Sequence, residues 1–291
     1  MEDTLKKIAL LLVIVGILSI GSIFIAIVLA FSSDASLASG SVAVIPIKGT
    51  IAFGDDPWGD TVDPDQVSDW LKQADEDPAV KIILLDINSP GGSPVASDEI
   101  GAAVRRTNKT VVAWIRESGA SGAYWIASNT DHIIANRMSI TGSIGVTASY
   151  IEFGGTLERY NASYQEFHSG ILKEVGSPYR EPTASERRLF QAKIDKIHQF
   201  FIEEVRRNRN LTDAQVASIS TGEFFLGTEA RDLGLVDELG SQDEVKQYLK
   251  VAIGEEPTYA YYAKPRTFFQ ELGMLRSNFF PGVSSGVTVR T

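Results

Sequence analysis

The chain of 291 residues contains no cysteine. That removes disulfides, thiolate nucleophiles, CxxC redox centres and every cysteine-ligated zinc or iron–sulfur site. Positive charge is also scarce: 27 Lys and Arg stand against 37 Asp and Glu, a formal net charge of −10, and no extended basic run interrupts the acidity. Nucleic acid is therefore excluded as a partner bound through its phosphate backbone. There are three histidines and no HExxH zinc-protease signature. What remains is a composition with 44% hydrophobic and 22% charged residues, which folds rather than staying disordered, over a length suited to one or two domains.

The longest apolar feature is Ile8 to Phe31, 24 residues without a charge. At about 1.5 Å per residue it makes a helix of roughly 36 Å, enough for a hydrocarbon core of roughly 30 Å. A secretory signal has a shorter apolar stretch and a small-residue cleavage site; here the nearest such site is Ser36-Leu37-Ala38. Lys6 and Lys7 precede the run, and no Lys or Arg follows it until Lys48. Positive-inside logic then leaves the N-terminus cytoplasmic and the body extracytoplasmic, a single-pass protein of the cell membrane. The expected organisation is a cytoplasmic stub and transmembrane anchor over 1–31, a small polar linker over 32–41, a globular domain over 42–263 and a C-terminal tail over 264–291.

Within 42–263 strand-like and helix-like segments alternate. Val42–Ile47, Val80–Ile87, Thr110–Ile115 and His132–Ala135 read as short buried strands. Asp65–Asp75 and Ser93–Thr107 read as helices between them, with a short helix from about Ser121. Such βαβ units predict an α/β fold with a parallel sheet. A long helix follows, opened by a Thr183/Glu186 capping box, with Phe190, Ile194, Ile197, Phe201 and Val205 along one face. That stripe suits a core face or a subunit contact. Further helices start at Thr212 and Ser241, and no internal repeat occurs. The tail from Lys264 holds Phe268, Phe269, Phe279 and Phe280, which makes it a candidate occupant of an active-site cavity.

Two strand ends carry the chemistry. Asn88-Ser-Pro-Gly-Gly92 follows a strand, where ligands bind in α/β sheets and glycines let amides approach closely. Such amides suit an oxyanion hole. A plain strand-to-helix turn uses the same residues, and no GxGxxG or Walker pattern occurs there. Glu117-Ser118-Gly119-Ala120-Ser121-Gly122 places two serines on a tight turn before a helix, either as an N-cap or as a nucleophile. His132, His168 and His198 lie in no catalytic motif and read as structural or solvent-facing. A lysine base is the alternative; it must be neutral, so an ordinary pKa of about 10.4 has to fall by about 2–3. Lys173, in Ser169-Gly-Ile-Leu-Lys173, has apolar neighbours on a glycine-bearing loop, a setting shared with ordinary surface lysines.

These fragments together resemble the signal peptide peptidase A family of membrane-bound serine proteases, over residues 42 to 250. The matching elements are Asn88-Ser-Pro-Gly-Gly92, Ala120-Ser-Gly-Ala-Tyr124, Thr141-Gly-Ser-Ile-Gly-Val146, His168-Ser-Gly-Ile-Leu-Lys173 with Ser177-Pro178, and Gly234-Leu-Val-Asp-Glu-Leu-Gly240. The resemblance implies a ClpP/crotonase-like fold of stacked βαβ units with an added helical region. It also implies Ser121 as nucleophile, Lys173 as general base, the amides of Gly92 and Gly122 as oxyanion hole, and Ser143 as the hydroxyl that orients the lysine. No metal or organic cofactor is implied. The short, single-repeat form of the family assembles as a ring-like octamer with serine and lysine from neighbouring subunits, and its substrates are signal-peptide remnants and other unfolded or hydrophobic peptides. Apolar residues near the site, Ile144 and Val146, would suit small or apolar substrate side chains.

Other enzymes of that wider fold make two rivals. A ClpP-like triad would need its base about 25 residues after the serine, where Val146 stands. A crotonase-like acyl-CoA enzyme has no use for a Ser/Lys pair. A non-catalytic membrane scaffold is the third alternative, and such proteins usually lose the nucleophile or the base.

Overall fold

The computed structural model describes residues 40–54 and 61–263, together with Val15, Gly16, Ser19, Gly21 and Ser22. It divides into two units, 1–38 and 39–291. In the first, the five described positions are helical, and the Ser19 hydroxyl donates to the Val15 carbonyl. Among the described residues no helix is long and apolar enough to cross a membrane. The expected anchor over 8–31 and the tail from Lys264 lie outside the described residues for the most part or altogether.

The second unit is a mixed α/β fold. Its main sheet runs β10 (Tyr259–Tyr261), β1 (Val42–Lys48), β4 (Ile82–Ser89), β5 (Thr110–Ala120), β6 (His132–Ala135), β9 (Glu238–Leu239), all parallel. The strands are continuously apolar because both faces are covered. On β1, β4 and β5 the odd positions Ala43, Ile45, Ile47, Ile83, Leu85, Ile87, Val111, Ala113 and Ile115 face the larger core. Helices α1 (Pro64–Glu76), α2 (Pro94–Arg106), α3 (Gly122–Ser128) and α5 (Ala184–Arg209) contribute to that core. The even positions Val42, Val44, Ile82, Leu84, Val112 and Trp114 meet Val245 and Leu249 of α8 (Gln242–Ile253) on the other face.

Strand β5 positions the site because it changes partner along its length. Val112–Ile115 pair with β6, and Ser118–Ala120 pair with β7 (Ile140–Gly142) after a register shift against β4. Periodicity predicts β5 to end at Ile115; it runs five residues further, through the polar Arg116-Glu117-Ser118, because β4 and β7 supply the ladder. β7 in turn pairs antiparallel with β8 (Phe224–Leu226). Two short strands, β2 (Thr50–Ile51) and β3 (Thr61–Val62), form a separate pair. These short strands, the helices α4 (Gly154–Arg159) and α7 (Gly227–Asp232), and β9 and β10 add to the elements expected from sequence; α6 (Asp213–Ile219) begins at Thr212 as expected.

The long helix α5 has the expected capping box: the Thr183 hydroxyl accepts from the Glu186 amide at 3.3 Å and the Glu186 carboxylate from the Thr183 amide at 2.7 Å. Arg180 grips the same carboxylate with two bonds of 2.7 and 2.8 Å. Those bonds, with the Thr183 amide, hold the Glu186 pKa down to about 2. Only the C-terminal part of the predicted stripe is core: Phe201 and Val205 are buried, while Phe190, Ile194 and Ile197 are half-exposed. At the C-terminal end of α5, Arg209 pairs with Asp237 at 2.5 Å. Burial pushes that carboxyl up, but the guanidinium outweighs it and holds the pKa below the usual value. From Val146 to Pro182 the chain forms an arm whose apolar side chains find little cover, Phe167 and Ile171 being 94% and 95% exposed.

Candidate active site

Ser121 is the residue between β5 and α3. Its backbone sits at φ 53°, a region costly for a residue with a side chain. Two bonds hold it there: its amide donates to the Gly142 carbonyl at 2.8 Å, and its carbonyl accepts from the Trp125 amide at 2.9 Å. The side chain does not cap the helix. Its hydroxyl has no hydrogen-bond partner among the described residues and lines a cavity of about 500 Å³. The rival serine is used structurally: the Ser118 hydroxyl donates to the Ser89 carbonyl at 3.1 Å, and its amide to Asn88 Oδ1 at 3.1 Å.

Gly92 and Gly122 border the same cavity. The Ile51 amide donates to the Gly91 carbonyl (3.0 Å) and the Ser93 amide to the Ile51 carbonyl (2.7 Å), so the amide between them, that of Gly92, faces away from Ile51. A Cβ at Gly92 would stand 2.0 Å from the Ile51 carbonyl oxygen, an impossible contact that explains the glycine. A Cβ at Gly122 would stand 2.2 Å from Ser97 Oγ and 3.3 Å from the Gly92 nitrogen. The two glycines therefore lie beside one another at the cavity's edge, and neither amide has an acceptor among the described residues. Free amides beside a free hydroxyl can bind a tetrahedral oxyanion.

Ser143 joins them from β7's end, at φ 50°, its amide donating to the Glu223 carbonyl at 2.9 Å. Trp125 and Phe201, with ring centroids 4.9 Å apart, and Val146 and Ile194 add apolar lining. Of the two apolar residues expected near the site, Val146 lines the cavity, whereas Ile144 is fully buried in the core. Lys173 is not in this group. It is exposed on the arm, in a turn where its amide donates to the Gly170 carbonyl at 3.1 Å, and it does not line the cavity. One chain thus brings together Ser121, Gly92, Gly122 and Ser143 without the lysine.

The histidines separate. His132 stacks on Tyr248 at 4.3 Å, and His168 Nδ1 lies 2.8 Å from the Glu166 carboxylate. His198, expected to be structural or solvent-facing, bonds the Ile144 carbonyl and also lines the cavity. Its spacing from Ile194, Phe201 and Val205 puts it on the inward face of α5, a signal the sequence carried. Glu166, His168 and Glu174 gather possible metal-ligand atoms within 4.8 Å of one another on the arm, but none of the three lines the cavity.

The model of peptidase family S49 matches residues 103–254. A putative protease of Methanocaldococcus jannaschii is 31% identical over 84% of this chain and 83% of its own length. A putative signal peptide peptidase of Enterococcus faecium is 33% identical over 62% of the chain, and protease 4 of Haemophilus influenzae 32% identical over 70%. The chain spans 53% and 33% of the lengths of those two. Among solved structures, a membrane-bound stomatin-specific protease in complex with a substrate peptide is similar in fold, with a TM-score of 0.50 at 16% identity, covering 83% of this chain and 100% of that one. The chain belongs to peptidase family S49 and is a serine endopeptidase.

Proposed function

We propose that Ser121 is the nucleophile, that the amides of Gly92 and Gly122 form the oxyanion hole, and that Lys173 of a neighbouring copy is the general base. The observation that carries this reading is the Ser121 hydroxyl, unpartnered and held at φ 53° over a cavity whose edge is made by two free amides. Neutral Lys173 takes the hydroxyl proton as Oγ bonds to the substrate's carbonyl carbon. The two amides stabilise the oxyanion, and the protonated amine then gives its proton to the leaving nitrogen as the peptide bond breaks. Water, deprotonated by the same amine, attacks the acyl-enzyme and releases Ser121. Ser143, at the cavity wall, accepts or donates to the amine and orients it.

Supply of the lysine in trans accounts for its exposed position on an arm rich in uncovered apolar side chains, a surface that suits a ring-like homo-oligomer. Within the mixed α/β class we assign the ClpP/crotonase-like arrangement, supported by β5 switching between β6 and β7 just before the nucleophile. The uncharged run Ile8–Phe31 with Lys6 and Lys7 ahead of it supports a membrane anchor that leaves the body extracytoplasmic. A tethered site lined by Trp125, Phe201 and Val146 suits hydrophobic peptides such as signal-peptide remnants.

The test is complementation between inert subunits. Ser121→Ala and Lys173→Ala are each expected to be inactive on a fluorogenic apolar peptide. Co-expressed in equal amounts they regain activity, since roughly one interface in four in a head-to-tail ring pairs an intact serine with an intact lysine. A silent mixture of properly assembled subunits would refute supply in trans.

A further inference from the structure

The wall of the Ser121 cavity is held to the body by very few polar contacts. After Ser143, no backbone group from Ile144 to Glu152 bonds to another backbone group among the described residues. Among the described residues one hydrogen bond ties this stretch to the body: His198 Nε2 lies 2.9 Å from the Ile144 carbonyl oxygen. The stretch matters because it carries Val146 and Thr147 along the cavity directly after Ser143, and continues into the arm that bears Lys173. Burial of the Ile144 side chain fixes its depth but leaves rotation about the chain free, and a directional bond removes that freedom.

We infer that His198 is a positioning residue, whose Nε2–H holds the Ser143–Thr147 wall in register with Ser121. A carbonyl oxygen only accepts, so Nε2 carries the hydrogen in this contact and has no lone pair for taking a proton from Ser121. The positioning role is exerted through this bond and the wall that it holds. The imidazole is set by its helix: Ile194 and Phe201, one turn to either side, line the same cavity, and Phe201 is buried against Trp125. The inference rests on Ser121 being the nucleophile.

Glutamine places its amide nitrogen where the imidazole Nε2 lies, and asparagine is too short to reach the Ile144 carbonyl. His198→Ala and His198→Asn are expected to lower kcat/KM about tenfold, the scale of one lost hydrogen bond, while His198→Gln stays within about twofold of wild type. Melting temperature and assembly are measured for all three, and the pH profile of His198→Gln is expected to follow wild type. The Asn/Gln pair carries the comparison even where Ala loosens the helix. Equal loss in Gln and Ala with intact folding would overturn the inference, because the ring itself would then be required; full activity in Ala and Asn would overturn it too. Ser121→Ala, run alongside, separates the two readings: if it stays active the nucleophile is wrong, and if it is inert the His198 series judges positioning alone.

Discussion

Replacing Gly122 by alanine tests the packing of the turn that we propose as half of the oxyanion hole. The new methyl would stand 2.2 Å from Ser97 Oγ, where ordinary contact begins at 3.4 Å. Ser97 cannot swing aside freely: it is fully buried, and its hydroxyl donates to the Ser93 carbonyl at 2.9 Å. Overpacking of this kind costs about 1–3 kcal/mol of stability. On the proposed oxyanion role, displacement of the Gly122 amide should cost activity as well, about 10²–10³ in kcat for one lost donor. Ser97→Ala alone loses one hydrogen bond, about 1 kcal/mol, and leaves the Ser93 carbonyl satisfied by the Ser97 amide at 3.0 Å. In the double variant the nearest atoms become Ser97 Cβ at 3.2 Å and the Gly92 nitrogen at 3.3 Å, tight but without overlap. Urea unfolding should therefore show the double variant more stable than Gly122→Ala, with a coupling of about 1–2 kcal/mol against the few tenths that independent sites give. Part of the lost kcat should return. Additive losses in stability would refute the clash as the reason for glycine.

Ser118→Ala should keep peptidase activity and lose about 1 kcal/mol of stability, since its hydroxyl is occupied by the Ser89 carbonyl; loss of activity in a folded protein would make Ser118 part of the chemistry. Glu186, held down to about 2 in the folded chain against about 4.3 unfolded, stabilises the start of α5 fully above pH 4.5 and loses that contribution as pH falls toward 2. Thermal melts of wild type and Glu186→Gln should differ at pH 7 and converge between about pH 4.5 and 2; a gap that ignores pH would contradict the Arg180 and Thr183 bonds as its source.

What was readable in the sequence follows from which interactions are local. β1, β6, α1 and α2 stand close to their expected bounds because continuous apolar runs and caps are written within each segment, and the Thr183/Glu186 box marks α5 to the residue. The far half of β5 was not readable, because Arg116, Glu117 and Ser118 carry no strand pattern and are held by β4 and β7. β10 is three residues long and exists through pairing with β1, more than two hundred positions away. The resemblance carried by the five motifs implied Gly92, Ser121, Gly122 and Ser143 as one site, and the structure adds why Ser121 rather than Ser118 has the free hydroxyl. His198 read only as structural or solvent-facing because a single histidine has no motif; its place on the inward stripe of α5 is the signal for its position at the cavity.

The most direct test of Ser121 as nucleophile is covalent labelling of the assembled protein with a serine-directed fluorophosphonate, read by intact mass and peptide mapping. The account predicts one adduct per chain, on Ser121, present in Ser118→Ala, absent in Ser121→Ala and strongly slowed in Lys173→Ala. An adduct on another serine, or labelling of Ser121 that does not slow when Lys173 is removed, would contradict it.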